Sequence, residues 1–350
     1  MPTRSSARSI PALNSDLQAI DAAYARAGLT RSRHGKSSHI NRETRRQPAA
    51  PEELMRPVAQ PITSGNGVRW LPVPGWNRFW AGFSTRMGGV SRAYCAEDAI
   101  GELNLGFTAA DDPQAVLRNR RLLVEAVTGS AETPLITVRQ FHSNLLVCAT
   151  SADAERESPT KADGLMTDQP GLLLAVMVAD CIPVLVADRK RRVVAAFHAG
   201  WRGTLKRIVE TGIGRMRLDF GSRPEDLIAA IGPGAGPCCY AVGEEVVSEF
   251  ESQFLYARQL FHEVYSSDPV RNKYPMLFLT QRAPGHSDIG PQIHLDLVEA
   301  NRRQLLDAGL RERAIQIVAG CTSCHPELFY SHRASRGHAG RMMAVVGIRA

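Results

Sequence analysis

Apolar positions along the chain fall into short runs that stop at polar or glycine-rich corners. Leu172–Ala179 is an almost unbroken apolar run ending at Asp180-Cys181. A strand with one wet face would alternate, so this run predicts a strand covered on both faces. Val193–Phe197 repeats the theme and ends at His198, followed by Ala199-Gly200-Trp201-Arg202-Gly203. A helix is expected from there to about Leu218. Leu227–Ile231 predicts a third strand and ends in Gly232-Pro233-Gly234-Ala235-Gly236-Pro237-Cys238-Cys239. A helix should follow over Gly243 to Phe254. Leu295–Ala308 has helical spacing at Leu297, Ala300, Leu305 and Ala308, with Gly309 as its stop. Ile315–Val318 and Met342–Ile348 predict late strands. Strands and helices without strict alternation imply an α+β fold, a single mixed-sheet domain with helices packed on the sheets.

Two stretches break the pattern. Residues 1–65 carry little apolar periodicity beyond one short predicted helix, Ser15 to Gly28. They read as a basic, mostly disordered N-terminal arm ahead of a catalytic domain over residues 66–350. Residues 262–291 are rich in proline without a clear period and read as a surface insertion.

Charge sharpens the first boundary. The 350 residues carry a net charge of +7. Nine Arg and Lys against three acids lie in the first fifty residues, so nearly all the excess belongs to the arm. A basic tail is a different object from a nucleic-acid-binding face, and no specific nucleic-acid partner is expected. No apolar run reaches the roughly 18–20 residues of a membrane span. The longest is interrupted by Asp180 and Pro183. Without an apolar stretch after the first basic residues, no secretory leader is expected and the chain reads as cytoplasmic. Seven cysteines then suggest free thiols or metal ligands more than a disulfide framework.

His142, Cys181 and His198 each follow a predicted strand. Two imidazoles and one thiolate meeting at strand ends would suit one zinc ion with a coordination position left open. Taken singly, each has a plainer reading, as a buried small thiol or a hydrogen-bonded histidine, and no general zinc signature has this spacing. Arg86, beside Gly88-Gly89, is either an anion contact or half of a structural ion pair. Cys321-Thr322-Ser323-Cys324 with His325 has the form of half a zinc ribbon. Cys238 and Cys239 are adjacent rather than ribbon-spaced, so buried structural cysteines are the preferred reading. The Gly232–Gly236 turn lacks the P-loop order and reads only as a tight functional loop.

Several segments together resemble one family. They include Gly82-Phe83-Ser84-Thr85-Arg86-Met87-Gly88-Gly89, Gln140-Phe141-His142-Ser143, Ala162-Asp163-Gly164, Ala179-Asp180-Cys181-Ile182-Pro183 and His198-Ala199-Gly200-Trp201-Arg202-Gly203. Ile231-Gly232-Pro233, Cys239-Tyr240 and Phe329-Tyr330-Ser331-His332-Arg333 extend the series. In this order, from about Trp76 to Ile348, they resemble the YfiH-like laccase-domain family, whose members are described as polyphenol oxidases or as purine nucleoside phosphorylases. The resemblance implies that His142, Cys181 and His198 bind the catalytic metal, with zinc expected and copper as the other candidate. Asp180 is then a candidate proton carrier or ligand-orienting group, and Arg86, Gln140 and Arg333 are candidate substrate contacts. Two departures stand out. Ser143 replaces the family's usual glycine, and Ala334 replaces the second arginine of its Ser-x-Arg-Arg motif.

The function this implies is zinc-dependent phosphorolysis of purine nucleosides with adenosine deamination, using phosphate as co-substrate. Two alternatives remain. A Cys–His hydrolase or amidase would use Cys181 as nucleophile and His198 as base. A multicopper phenol oxidase needs about ten histidine ligands. The chain has ten histidines in all, and His34, His39, His262 and His286 lie in the arm or the insertion.

Overall fold

The computed structural model describes residues 49–95, 101–156, 158–264, 292–318 and 320–350. Two six-stranded sheets form the centre. The first runs in the order β1 (Ile62–Thr63), β2 (Arg69–Pro72), β3 (Phe79–Ser84), β16 (Met342–Ile348), β8 (Leu173–Val178) and β5 (Leu135–Thr137). The second runs β15 (Ile315–Ile317), β11 (Leu227–Ile231), β9 (Ile182–Asp188), β10 (Val193–Ala199), β7 (Gly164–Thr167) and β6 (Leu146–Cys148). A small antiparallel sheet, β12 (Ala241–Val242), β14 (Gln292–Leu295) and β13 (Phe261–Val264), stands apart from both. The pairings β5·β8, β6·β7 and β11·β15 are parallel and the other pairings of the two large sheets antiparallel. The sheets are thus mixed, as expected of an α+β fold.

Alternation along each apolar run assigns its two faces. Leu174, Val176 and Val178 of β8 meet Leu185 and Ala187 of β9 and Val194 and Ala196 of β10 in the core between the large sheets. Leu173 and Ala175 point the other way, onto Leu123, Val124 and Val127 of α1 (Pro113–Thr128). Val193, Ala195 and Phe197 likewise turn outward onto α3 (Ile208–Phe220) and α5 (Leu297–Asp307). The molecule is therefore layered helix, sheet, sheet, helix, and a strand covered on both faces has no reason to alternate. β4 (Met87–Ser91) lies against α1, where Val90 N–H donates to Asn119 Oδ1 at 2.8 Å. α4 (Glu244–Gln253) starts just after Gly243, as its sequence implied.

Three boundaries differ from expectation. The helix expected after His198 is two helices, α2 (Trp201–Leu205) and α3, separated where Arg207 takes the left-handed conformation at φ 59°. Its guanidinium fixes that break by donating to Glu210 Oε1 and to the Gln253 carbonyl, each at 2.7 Å. α5 starts after Leu295, which belongs to β14; Asp296 caps it by accepting from Glu299 N–H at 2.9 Å. The second of the chain's two compact units spans Gln47–Ala350, so part of the expected arm belongs to it. β1 pairs with β2, and Arg56 forms an ion pair with Asp296 at 2.8 Å. The helix expected over Ser15–Gly28 and most of the insertion, from residue 265 on, lie outside the described residues, while His262 lies in β13.

Candidate metal centre

The chain twice crosses from the first large sheet to the second at one end of the sandwich. β5 and β8 are parallel neighbours, so their carboxyl ends emerge together. His142 follows β5 before the chain reaches β6, and Asp180-Cys181 links β8 to β9. β10 runs antiparallel to β9 with His198 opposite Pro183 and Ala199 opposite Ile182. Each segment thus delivers its residue to the same edge.

The donor atoms of His142, Cys181 and His198 lie within 4.8 Å of one another. Cys181 Sγ is 3.8 Å from His142 Nε2, and the two imidazole centroids are 5.0 Å apart. His142 is exposed, Cys181 half-buried and His198 buried, so the cluster faces outward on one side. His142 and Asp180 both adopt positive φ, 62° and 86°. Non-glycine residues held there are strained and need surrounding bonds to keep them in place.

Asp163 supplies such bonds to the two histidines. It is fully buried and accepts from His198 Nδ1 at 2.9 Å, from His142 N–H at 3.0 Å and from Ser143 N–H at 2.6 Å. Ser143 Oγ donates to it as well, at 2.7 Å, so the departure from glycine adds one bond to this carboxylate. With Nδ1 engaged, His198 turns Nε2 to the cluster, the arrangement by which a carboxylate orients a metal-binding imidazole. Burial opposes ionisation of Asp163, but the His198 and Ser143 bonds outweigh it and hold the carboxyl well below its usual range. Burial also raises the Cys181 thiol, yet the His198 charge and the imidazole hydrogen bonds bring it down to about 6. Against its own burial, His198 is raised to about 9 by Cys181 and Asp163. Gly200 leaves room for the cluster, since a Cβ there would sit 2.8 Å from Cys181 Sγ and 3.0 Å from His142 Cδ2.

The remaining candidates have distinct settings. Asp180 is buried, and its two oxygens accept from Thr322 Oγ1 at 2.6 Å and Arg333 N–H at 2.7 Å. The histidine-orienting carboxylate is therefore Asp163. Its sequence signal was an aspartate flanked by Ala162 and Gly164 at a strand start, to which no role had been attached. Gln140 spends both ends of its amide on the Met177 backbone, each at 2.7 Å. Arg86 makes the structural ion pair, with Glu102 at 2.7 Å, and also donates to the Pro326 carbonyl. Arg333 is exposed, with its guanidinium 4.5 Å from the Tyr240 ring centroid. Burial, with the nearby Cys181 charge, pushes the Tyr240 phenol up to about 12.

Two sheets faced by helices, with two imidazoles and a thiolate gathered at the crossing points, define an α+β protein with one strand-end centre able to hold a metal ion. The chain belongs to the family described as multi-copper polyphenol oxidoreductase laccase, whose model matches residues 80–349. It is 34% identical over 275 residues to a protein of Geobacillus stearothermophilus named purine nucleoside phosphorylase YlmD, covering 77% of this chain and 90% of that one. A Bacteroides thetaiotaomicron protein named purine nucleoside phosphorylase is 32% identical over 270 residues, covering 76% and 90%. The crystal structure of a Bacillus licheniformis protein titled hypothetical protein YfiH superposes with a TM-score of 0.68 at 30% identity, over 83% of this chain and 99% of the other. No helix among the described residues is long and apolar enough to cross a membrane.

Proposed function

We propose that the chain is a zinc-dependent purine nucleoside phosphorylase that also deaminates adenosine, working in the cytoplasm. The observation that carries this reading is the outward-facing His142–Cys181–His198 cluster with Asp163 behind it, in a chain whose relatives bear the phosphorylase name. Two imidazoles and a thiolate suit zinc, and the bond from His198 Nδ1 to Asp163 leaves Nε2 as the donor. Copper is the other candidate for this donor set. When bound, such an ion polarises a water or substrate atom beside it.

In phosphorolysis the ribose C1′–N bond breaks, a C1′–O bond to phosphate forms, and the purine leaves with a proton. Of the three candidate substrate contacts, Arg333 alone is exposed and would meet phosphate; its guanidinium also donates to the Ala241 carbonyl, and Lys206 Nζ reaches the His142 carbonyl at 3.4 Å. Exposed Phe141, next to the first ligand, offers a ring for a purine to stack on. Gln140 holds the Met177 backbone, and Arg86 holds Glu102 and the Pro326 carbonyl. Asp180 holds the Arg333 backbone and so positions the phosphate contact.

One observation favours a second reading. Cys181, His198 and Asp163 form a thiol–imidazole–carboxylate series, and a thiol lowered to about 6 is what a cysteine nucleophile needs. True multicopper chemistry gains no such support, because the described residues gather only one other group of three or more ligand-type side chains, and that one is all cysteine.

Chelation separates the readings. Stripped protein should lose turnover of adenosine and inosine and regain it with zinc, whereas a cysteine hydrolase should keep or gain activity. Inosine cleavage should require phosphate and adenosine deamination should not. Arg333→Ala should raise the apparent phosphate KM about tenfold, a loss near 1.4 kcal/mol, while sparing deamination. Phosphate-independent inosine turnover would reject the phosphorylase reading.

A further inference from the structure

The loop that leaves β11 and the turn that follows β15 leave the same edge of the second large sheet, because the two strands are parallel neighbours with Ile231 opposite Ile317. Gly234 bridges to Cys321, and Thr322 N–H donates to the Gly234 carbonyl at 3.0 Å. This pairing brings the adjacent Cys238 and Cys239 to the Cys321-x-x-Cys324 turn. All four sulfur atoms lie within 4.8 Å of one another. The half-ribbon read in the sequence therefore finds its second pair in the fold, where ribbon spacing had been lacking.

Neither plainer account of the four thiols fits this geometry. Cysteines acting only as small buried apolar groups have no reason to turn every sulfur to one point. Disulfide pairing is also poorly served, because Cys324 Sγ is 3.5 Å from Cys238 Sγ and 3.3 Å from Cys239 Sγ. It stands close to both and can bond only one. Four sulfurs arranged around one centre with Zn–S bonds of about 2.3 Å would be spaced by roughly 3.8 Å. Gly236 N–H also donates to Cys321 Sγ at 3.3 Å, the kind of bond that holds a metal-binding sulfur in place. A Cβ at Gly236 would come within 3.2 Å of Cys238 Sγ and 3.3 Å of Cys321 Cβ, so the loop leaves that position bare.

We propose that Cys238, Cys239, Cys321 and Cys324 form a second, structural metal site that takes zinc as a closed tetrathiolate. An S₄ donor set selects zinc or iron among common metals, and four protein ligands leave no position for substrate. The site braces the first centre. The same loop donates Ala235 N–H to the Asp180 carbonyl at 2.8 Å, and Thr322, inside the Cys-x-x-Cys turn, holds the Asp180 carboxylate. Zinc here fixes the backbone that presents Cys181 without sharing a ligand with it. The assignment does not depend on the purine nucleoside reading.

Elemental analysis of the full chain, purified without added metal, tests the site. The unaltered protein should hold two zinc ions, and Cys321→Ser/Cys324→Ser and His142→Ala/His198→Ala should each lose one. After cobalt exchange, the His142→Ala/His198→Ala protein should keep the strong sulfur-to-cobalt charge-transfer bands of a tetrathiolate. That spectrum decides the matter even if the serine variant fails to fold. A single zinc ion bound by the His142 centre alone, iron in its place, or a Cys239–Cys324 disulfide in non-reducing peptide maps of freshly purified protein would overturn the proposal.

Discussion

Cys181 and Asp163 do different work through the same imidazole, and each yields a prediction. In metal-free protein, the thiol at about 6 should be mostly thiolate at pH 7, where an ordinary cysteine is only a few per cent ionised. Its alkylation by iodoacetamide should therefore rise with pH to half its maximum near pH 6, and bound zinc should protect it. Half-maximal reaction near the ordinary value of about 8.5 would remove the imidazole influence. Asp163 is a lowered carboxyl, so its contribution to stability is complete above the usual carboxylate range and is lost as pH falls toward its folded value. Asp163→Asn cannot ionise and should flatten that acid limb in urea melts recorded across pH. The amide can still accept from some of its neighbours, so folding should survive at a cost of about 1–3 kcal/mol. Zinc affinity should fall about 10–100-fold in a chelator competition, as expected when a histidine loses its orienting carboxylate. Unchanged affinity would show that backbone geometry alone aims His198.

Among the elements, what could be read in the chain depended on whether its cause was local. The runs ending at Val178, Phe197 and Ile231 were legible because full burial on two faces leaves an unbroken apolar signal. The meeting of three donors at one edge, His142 after β5, Cys181 after β8 and His198 near the end of β10, was legible only as three strand ends. Convergence itself follows from register, His198 opposite Pro183 and β5 beside β8, which no short window of sequence encodes. The role of Asp163, visible in the sequence only as part of a family segment, is hidden for the same reason, since its partners His142 and His198 lie 21 and 35 residues away. The break at Arg207 was hidden because its cause is a contact with Gln253. Gly200 shows the opposite case, a local residue with a non-local purpose. Its φ of −68° is open to any residue, so the backbone does not demand glycine. The space does, because both nearest atoms belong to Cys181 and His142. Gly200→Ala should thus cost only about 1–3 kcal/mol in a melt, as overpacking does, while displacing Cys181 and His142. Zinc affinity should drop by at least about tenfold. Full affinity in the variant would mean the two ligands can move together without penalty.

At the scale of the whole molecule, charge and packing divide the chain at different places from those suggested by composition alone. All nine basic residues of the first fifty precede Gln47, where the second compact unit begins. The segment after it is held by specific bonds. Ala49 N–H donates to the Glu263 carbonyl at 3.0 Å, Val58 packs on the core between the sheets, and Ser64 Oγ accepts from Trp70 Nε1 at 2.9 Å. Arg56 matters most, because its partner Asp296 is nearly buried and also caps α5. Removing the arginine leaves that carboxylate without its charge partner, at a cost on the order of 1–3 kcal/mol. Two truncations should therefore behave differently. Deleting residues 1–46 should leave the melting temperature and activity unchanged while abolishing retention on a heparin column, since six of the seven net positive charges go with it. Deleting residues 1–65 should lower the melting temperature by several degrees, and Arg56→Ala in the full chain should reproduce part of that loss. Calorimetry on the three proteins distinguishes the contributions. Equal melting temperatures for both truncations would mean that residues 47–65 lie on the core without stabilising it, whereas a fall in activity on deleting 1–46 alone would place the basic segment in the function of the centre.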